Sequence, residues 1–126
     1  MGISTDIALI DDSQDHTEAA SQLLNYYGYS TAVISNPEGA IEKLESMNPR
    51  LIILDIMMPE MDGFTLLKKI KEHHYLGKIP TIILTGKAFP PEEKRAIMMG
   101  ADKFLTKPIA VKDLLAYIDT YIRKSA

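Results

Sequence analysis

Leu51-Ile52-Ile53-Leu54-Asp55 is an unbroken apolar run closed by a carboxylate. Four residues are too few for a buried helix, and no polar position alternates among them. The run therefore predicts a short strand covered on both faces. Moving outward, Ile7-Ala8-Leu9-Ile10 is closed by Asp11-Asp12, and Ile82-Ile83-Leu84 by Thr85. These two runs read the same way, so all three strands are expected at the centre of a sheet. Ser30-Thr31-Ala32-Val33-Ile34 and Lys103-Phe104-Leu105-Thr106 mix polar with apolar residues and are expected at its edges. Helical periodicity separates the runs, which is the pattern of repeated βαβ units and a parallel sheet. Numbering the strands along the chain, strands 1, 3 and 4 at the centre with right-handed crossovers give the order 2-1-3-4-5.

The helices carry their own punctuation. Ser13 is a candidate cap for a first helix with the stripe Ala20, Leu23, Leu24 and Tyr27, stopped by Gly28. Asn36-Pro37 predicts a cap and a first helical position. That second helix has the stripe Ala40, Ile41, Leu44 and Met47, and Asn48-Pro49 ends it. Asp62 is placed to cap a third helix with Phe64, Leu67 and Ile70 inward. Pro90-Pro91-Glu92-Glu93 opens a fourth, which Gly100 closes. Val111, Leu114, Leu115, Ile118 and Ile122 mark the inner face of a fifth.

A chain of 126 residues without linker or repeat predicts one domain over 1–126. It is long enough to bury a core without metal or disulfide. With no cysteine, thiol nucleophiles and thiolate zinc sites are excluded, and a reducing cytoplasmic setting is compatible. The net charge of -3 argues against nonspecific nucleic-acid binding, which needs a basic face. No apolar run approaches the roughly 20 residues of a membrane span. Only Arg123-Lys124-Ser125-Ala126 follow Ile122, so no effector domain is expected in this chain.

The polar residues that close the strands carry the functional reading. In an open parallel sheet, ligands bind beyond the carboxyl ends, where the strand order reverses. Here that point lies between strands 1 and 3, so Asp11, Asp12 and Asp55 are expected to converge. Three clustered carboxylates repel one another unless a cation sits among them. The candidate donors are hard oxygens, which favours Mg²⁺ or Mn²⁺. Mg²⁺ usually holds one or two carboxylates, several waters and a phosphate. Asp55 is then the natural nucleophile for a phosphoryl group, with Thr85 and Lys107 holding the phosphoryl oxygens.

The same residues carry a family resemblance over nearly the whole chain. Asp11-Asp12, the block from Asp55 through Met57-Met58-Pro59 to Asp62-Gly63, Thr85-Gly86, and the block from Gly100 to Lys107-Pro108 resemble the receiver domain of bacterial two-component response regulators, including the single-domain chemotaxis type. The resemblance implies a three-layer, doubly wound, flavodoxin-like α/β fold with five parallel strands. It implies that Asp55 accepts a phosphoryl group from a histidine kinase or a histidine phosphotransfer protein. Asp12 would bind Mg²⁺ directly and Asp11 mostly through water, with the backbone carbonyl of Met57 completing the protein ligands. Thr85 and Phe104 would form the switch, with Phe104 turning inward on phosphorylation, and the Lys107-Pro108 bond would be cis. The signal would pass to a protein partner through the face formed by the fourth helix, fifth strand and fifth helix. Such a domain is a cytoplasmic switch rather than an enzyme, though it assists its own phosphotransfer and slow autodephosphorylation. Phe104 stands where the family often has tyrosine, Gly86 replaces a frequent alanine, and Lys87 adds a positive charge near the site.

Other readings are weaker. A flavodoxin-like nucleotide binder would offer hydroxyls and backbone N–H groups in its first loop, where this chain has Asp11-Asp12. A phosphatase of the haloacid dehalogenase type carries an Asp two residues beyond the nucleophile; here that residue is Met57. A receiver that no longer signals by phosphate typically loses an acidic or Lys position, and this chain retains them all. His73-His74 read as exposed residues near a helix end, His16 as a first-turn surface residue, and Tyr117 and Tyr121 as half-buried edge residues.

Overall fold

A computed structural model describes residues 5–58, 61–86 and 90–122 of the chain. Five parallel strands form the central sheet: β1 (Ile7–Ile10), β2 (Thr31–Ile34), β3 (Leu51–Leu54), β4 (Thr81–Thr85) and β5 (Lys103–Thr106). Their order is 2-1-3-4-5, as the apolar runs predict. β1 and β3 align without offset, Ile7 beside Leu51 and Ile10 beside Leu54. Ser30 falls just outside β2, where its N–H donates to Asp6 Oδ2 and its hydroxyl accepts from the Asp6 N–H, both at 2.9 Å.

The strands are apolar throughout because both faces are covered. Ala8, Ile10, Ile52, Leu54, Ile83 and Phe104 pack on one side with residues of α2 (Ala40–Met47), α3 (Gly63–Glu72) and α4 (Pro90–Met98). Ile7, Leu9, Leu51, Ile53, Ile82 and Leu105 pack on the other with α1 (Gln14–Tyr26) and α5 (Val111–Tyr121). The strand period of two thus sorts neighbouring residues into two separate cores.

Several local expectations are corrected. The second helix begins at Ala40, not at Pro37. Asn36 Oδ1 instead accepts from the Glu38 N–H at 2.9 Å, forming a side-chain turn, and Gly39 follows at φ +75°. The local turn competes with helix at Asn, and the left-handed glycine ends the contest. Tyr27 is 46% exposed; Tyr29, just past Gly28, is the tyrosine that enters the core. Val111 is exposed at the start of α5, while Leu114, Ile118 and Ile122 are buried. His73 is not a surface residue. Its Nδ1 accepts from the N–H groups of Tyr75 and Leu76, and its Nε2 faces Glu45 Oε2 at 2.9 Å. It therefore ties the turn after α3 to α2.

One element was not anticipated. Met57–Met58 pairs antiparallel with Met61–Asp62, Met57 opposite Asp62. The register brings Gly63 back over Ile56. A Cβ on Gly63 would lie 2.3 Å from the Ile56 Cα, so only glycine fits. Asp62 thus precedes α3 as expected, but its proposed capping side chain lies outside the described part of the structure, as does Lys87.

Candidate functional site

The sheet's hydrogen-bond ladder runs one residue past the strand ends. The Asp11 N–H donates to the Ile34 carbonyl at 3.2 Å, and the Asp55 N–H to Ile10 at 2.9 Å. The Lys107 N–H donates to the Thr85 carbonyl at 2.8 Å. Backbone pairing alone therefore sets Asp11, Asp55, Thr85 and Lys107 along one carboxyl edge. This is where the strand order reverses, with β3 and β2 on either side of β1.

The side chains converge. Lys107 Nζ donates to Asp11 Oδ2 at 2.7 Å and to Asp55 Oδ2 at 3.2 Å. Both aspartates are 8% exposed. Two buried carboxylates thus share one ammonium, which offsets only part of their charge. Burial by itself pulls Lys107 down, but the hydrogen bond to Asp11 and the charges of Asp55 and Asp11 outweigh it and hold the ammonium above the ordinary lysine value. Thr85 is fully buried, and its Oγ1 has no hydrogen-bond partner among the described residues. A buried hydroxyl without a partner costs stability and marks a position prepared for something further. The Lys107-Pro108 peptide is cis.

Asp12 follows Asp11 in the chain with its side chain exposed. Ser13 caps α1, its Oγ accepting from the His16 N–H at 3.4 Å, while Asp11 Oδ1 accepts from the Ser13 N–H at 2.9 Å. The cap of α1 is therefore Ser13, as the sequence predicts, and not Asp12. His16 belongs to the site: its Nδ1 stands 3.3 Å from Lys107 Nζ. Its place in the first turn after the Asp-Asp pair was the available sequence signal. Asp11, His16, Asp55 and Lys107 line one open cleft together with Leu9, Ile53 and Leu84. Phe104 is 8% exposed and packed in the α2–α3–α4 core.

The donor set suits Mg²⁺. Among the described residues no three carboxylate or imidazole side chains gather into a ready-made metal site. Mg²⁺ does not need one, since one or two carboxylates with waters and a phosphate suffice. Asp11 and Asp55 would supply those carboxylates, exposed Asp12 follows Asp11 in the chain, and Met57 opens the short hairpin two residues after Asp55. No helix among the described residues is long and apolar enough to cross a membrane.

Comparison with known proteins gives the family. The response regulator receiver domain family model matches residues 7–119. The transcriptional regulatory protein TrcR of Mycobacterium tuberculosis is 29% identical over 95% of this chain and 46% of its own length. A two-component response regulator from Clostridium difficile, solved by crystallography, is 30% identical with a TM-score of 0.87, over 96% of this chain and 98% of that one. A CheY-like receiver domain protein from Methanospirillum hungatei is 26% identical with a TM-score of 0.85, over 94% and 93%. The chain spans about half or less of the length of most curated relatives it matches.

Proposed function

Since the chain belongs to the response regulator receiver domain family, we propose that it is a phosphorylation switch whose acceptor is Asp55. One observation carries the reading: two buried carboxylates at the switch point share Lys107, beside a buried Thr85 hydroxyl with no partner among the described residues.

The donor is a phosphohistidine of a sensor kinase or a phosphotransfer protein. An Asp55 carboxylate oxygen forms a new P–O bond as the donor's P–N bond breaks. The imidazole leaves with the electron pair and takes a proton from solvent. Asp11, Asp12, Asp55 and the Met57 carbonyl would hold Mg²⁺, which supplies charge neutralisation at the phosphoryl oxygens. Lys107 moves from Asp55 to a phosphoryl oxygen. Thr85 Oγ1 donates to another, gaining the partner it lacks. Slow self-catalysed hydrolysis then resets the domain.

Drawing Thr85 towards the phosphoryl group tightens the end of β4, beside β5. Phosphorylation acts by favouring the arrangement in which Phe104 is inward, a population shift rather than a new fold. The output face is α4–β5–α5, where Ile97 and Met98 are 45% and 77% exposed and a groove runs between β5 and α5 past Leu105 and Tyr117. A protein partner docks there, in the cytoplasm and without nucleic acid.

Intact-mass measurement after incubation with a small phosphodonor tests the proposal. One acid-labile phosphoryl group is expected with Mg²⁺ and none in chelator. Stoichiometric uptake by Asp55→Ala would overturn the assignment.

A further inference from the structure

We propose that His16 is a positioning residue for Lys107: its Nδ1 gives the ammonium an acceptor at the mouth of the site and eases its release from Asp55. The proposal rests on the phosphoacceptor reading above.

An ammonium has three N–H donors and no acceptor. Lys107 Nζ has three partners within reach: Asp11 at 2.7 Å, Asp55 at 3.2 Å and His16 Nδ1 at 3.3 Å. Nδ1 therefore accepts, and the ring proton lies on Nε2. The 3.9 Å separation of His16 Nδ1 from Asp11 Oδ2 is then no ion pair, because Nδ1 carries no proton.

Two of the three partners are buried carboxylates that draw the ammonium inward. His16 is the third and lies on the solvent side, with 61% of its side chain exposed. Its place is set by the same segment that sets Asp11. Asp11 holds the Ser13 N–H, Ser13 holds the His16 N–H, and the buried Thr17 hydroxyl donates to the Ser13 and Gln14 carbonyls.

For phosphoryl transfer, Lys107 must exchange its bond to Asp55 for one to a phosphoryl oxygen arriving from the mouth. As Lys107 gives up Asp55, its bond to His16, 3.3 Å long before transfer, is free to shorten, so His16 contributes most at that step. With an apolar residue in its place, every remaining pull is towards the carboxylates. One solvent-exposed hydrogen bond to the ammonium lost at that step corresponds to a rate roughly 2- to 10-fold lower.

The test compares wild type, His16→Leu and His16→Gln by intact mass, following uptake from acetyl phosphate with Mg²⁺ at pH 8. That pH is above the ordinary histidine value of about 6.5. The Lys107 ammonium ¹⁵N signal is recorded in parallel without donor. His16→Leu is expected to slow uptake roughly 2- to 10-fold and to shift the ammonium signal. His16→Gln, whose amide oxygen restores an acceptor, is expected to recover both. If wild type takes up phosphate and His16→Leu does so as fast, or His16→Gln is as slow as His16→Leu, the positioning role is wrong while the phosphoacceptor reading stands. If wild type takes up none, both fall.

Discussion

Tyr29 shows how one side chain ties distant segments together and what that does to stability. It is 4% exposed, and its hydroxyl donates to Asp119 Oδ1 on α5, ninety positions along the chain. Burial, then the hydrogen bond and charge of Asp119, push the phenol up to about 12. A raised value means that the folded chain holds this proton more tightly than the unfolded chain. The contribution is fully present below the ordinary value of about 10 and is lost as pH rises towards about 12. Wild type should therefore lose stability across that window more steeply than Tyr29→Phe, which has no phenol to titrate. At neutral pH Tyr29→Phe should be weaker by about 0.5–1.5 kcal/mol, the net worth of one hydrogen bond. Denaturant midpoints between pH 8 and 12 provide the measurement. Parallel curves for the two proteins would show that Tyr29 is not the group responsible.

At the scale of elements, the hairpin after β3 couples the acceptor to α3. Met57 opposite Asp62 places Gly63 on Ile56, one residue from Asp55. A methyl group there meets three backbone atoms of Ile56, the nearest at 2.3 Å, and backbone cannot yield as a flexible side chain can. Gly63→Ala must separate the start of α3 from Ile56. We expect a loss of about 1–3 kcal/mol, the usual cost of overpacking, together with slower phosphoryl uptake because Asp55 moves with the hairpin. Gly86→Ala is the control, since a Cβ there meets nothing within 4 Å. Urea midpoints and uptake rates for both variants check this. A Gly63→Ala protein as stable and as fast as Gly86→Ala would remove the coupling.

For the molecule as a whole, electrostatics at the carboxyl edge should link metal binding to folding. Anything that binds the folded state alone raises its stability, and Mg²⁺ should raise the melting temperature of this chain. Simple repulsion among three carboxylates would have Asp12→Asn stabilise the metal-free protein. The structure weakens that expectation, because Lys107 already bridges Asp11 and Asp55 and Asp12 is exposed. Asp12→Asn should instead melt within about 0.5 kcal/mol of wild type in chelator, as surface substitutions do. In excess Mg²⁺ its gain should be clearly smaller than that of wild type. Thermal melts of both proteins in the two buffers check this; equal gains would remove Asp12 from the metal site.

What the sequence determined by itself is the part that rests on local pattern. Apolar runs such as Leu51–Leu54 can only be strands covered on both faces, and their number and the polar edges give the sheet order. Asp11, Asp55, Thr85 and Lys107 were legible because each directly follows or ends such a run, and a parallel register carries strand ends to a common edge. Tertiary structure decided whatever depends on partners remote in the chain. His73 looked exposed until the turn after α3 and Glu45 of α2 closed around it. Tyr29, rather than Tyr27, entered the core because Asp119 waits there for its hydroxyl. His16 became part of the site only when Lys107, ninety-one positions away, reached across to it. Periodicity reports which face a residue occupies on its own element, and it holds no information about the side chain that arrives from another.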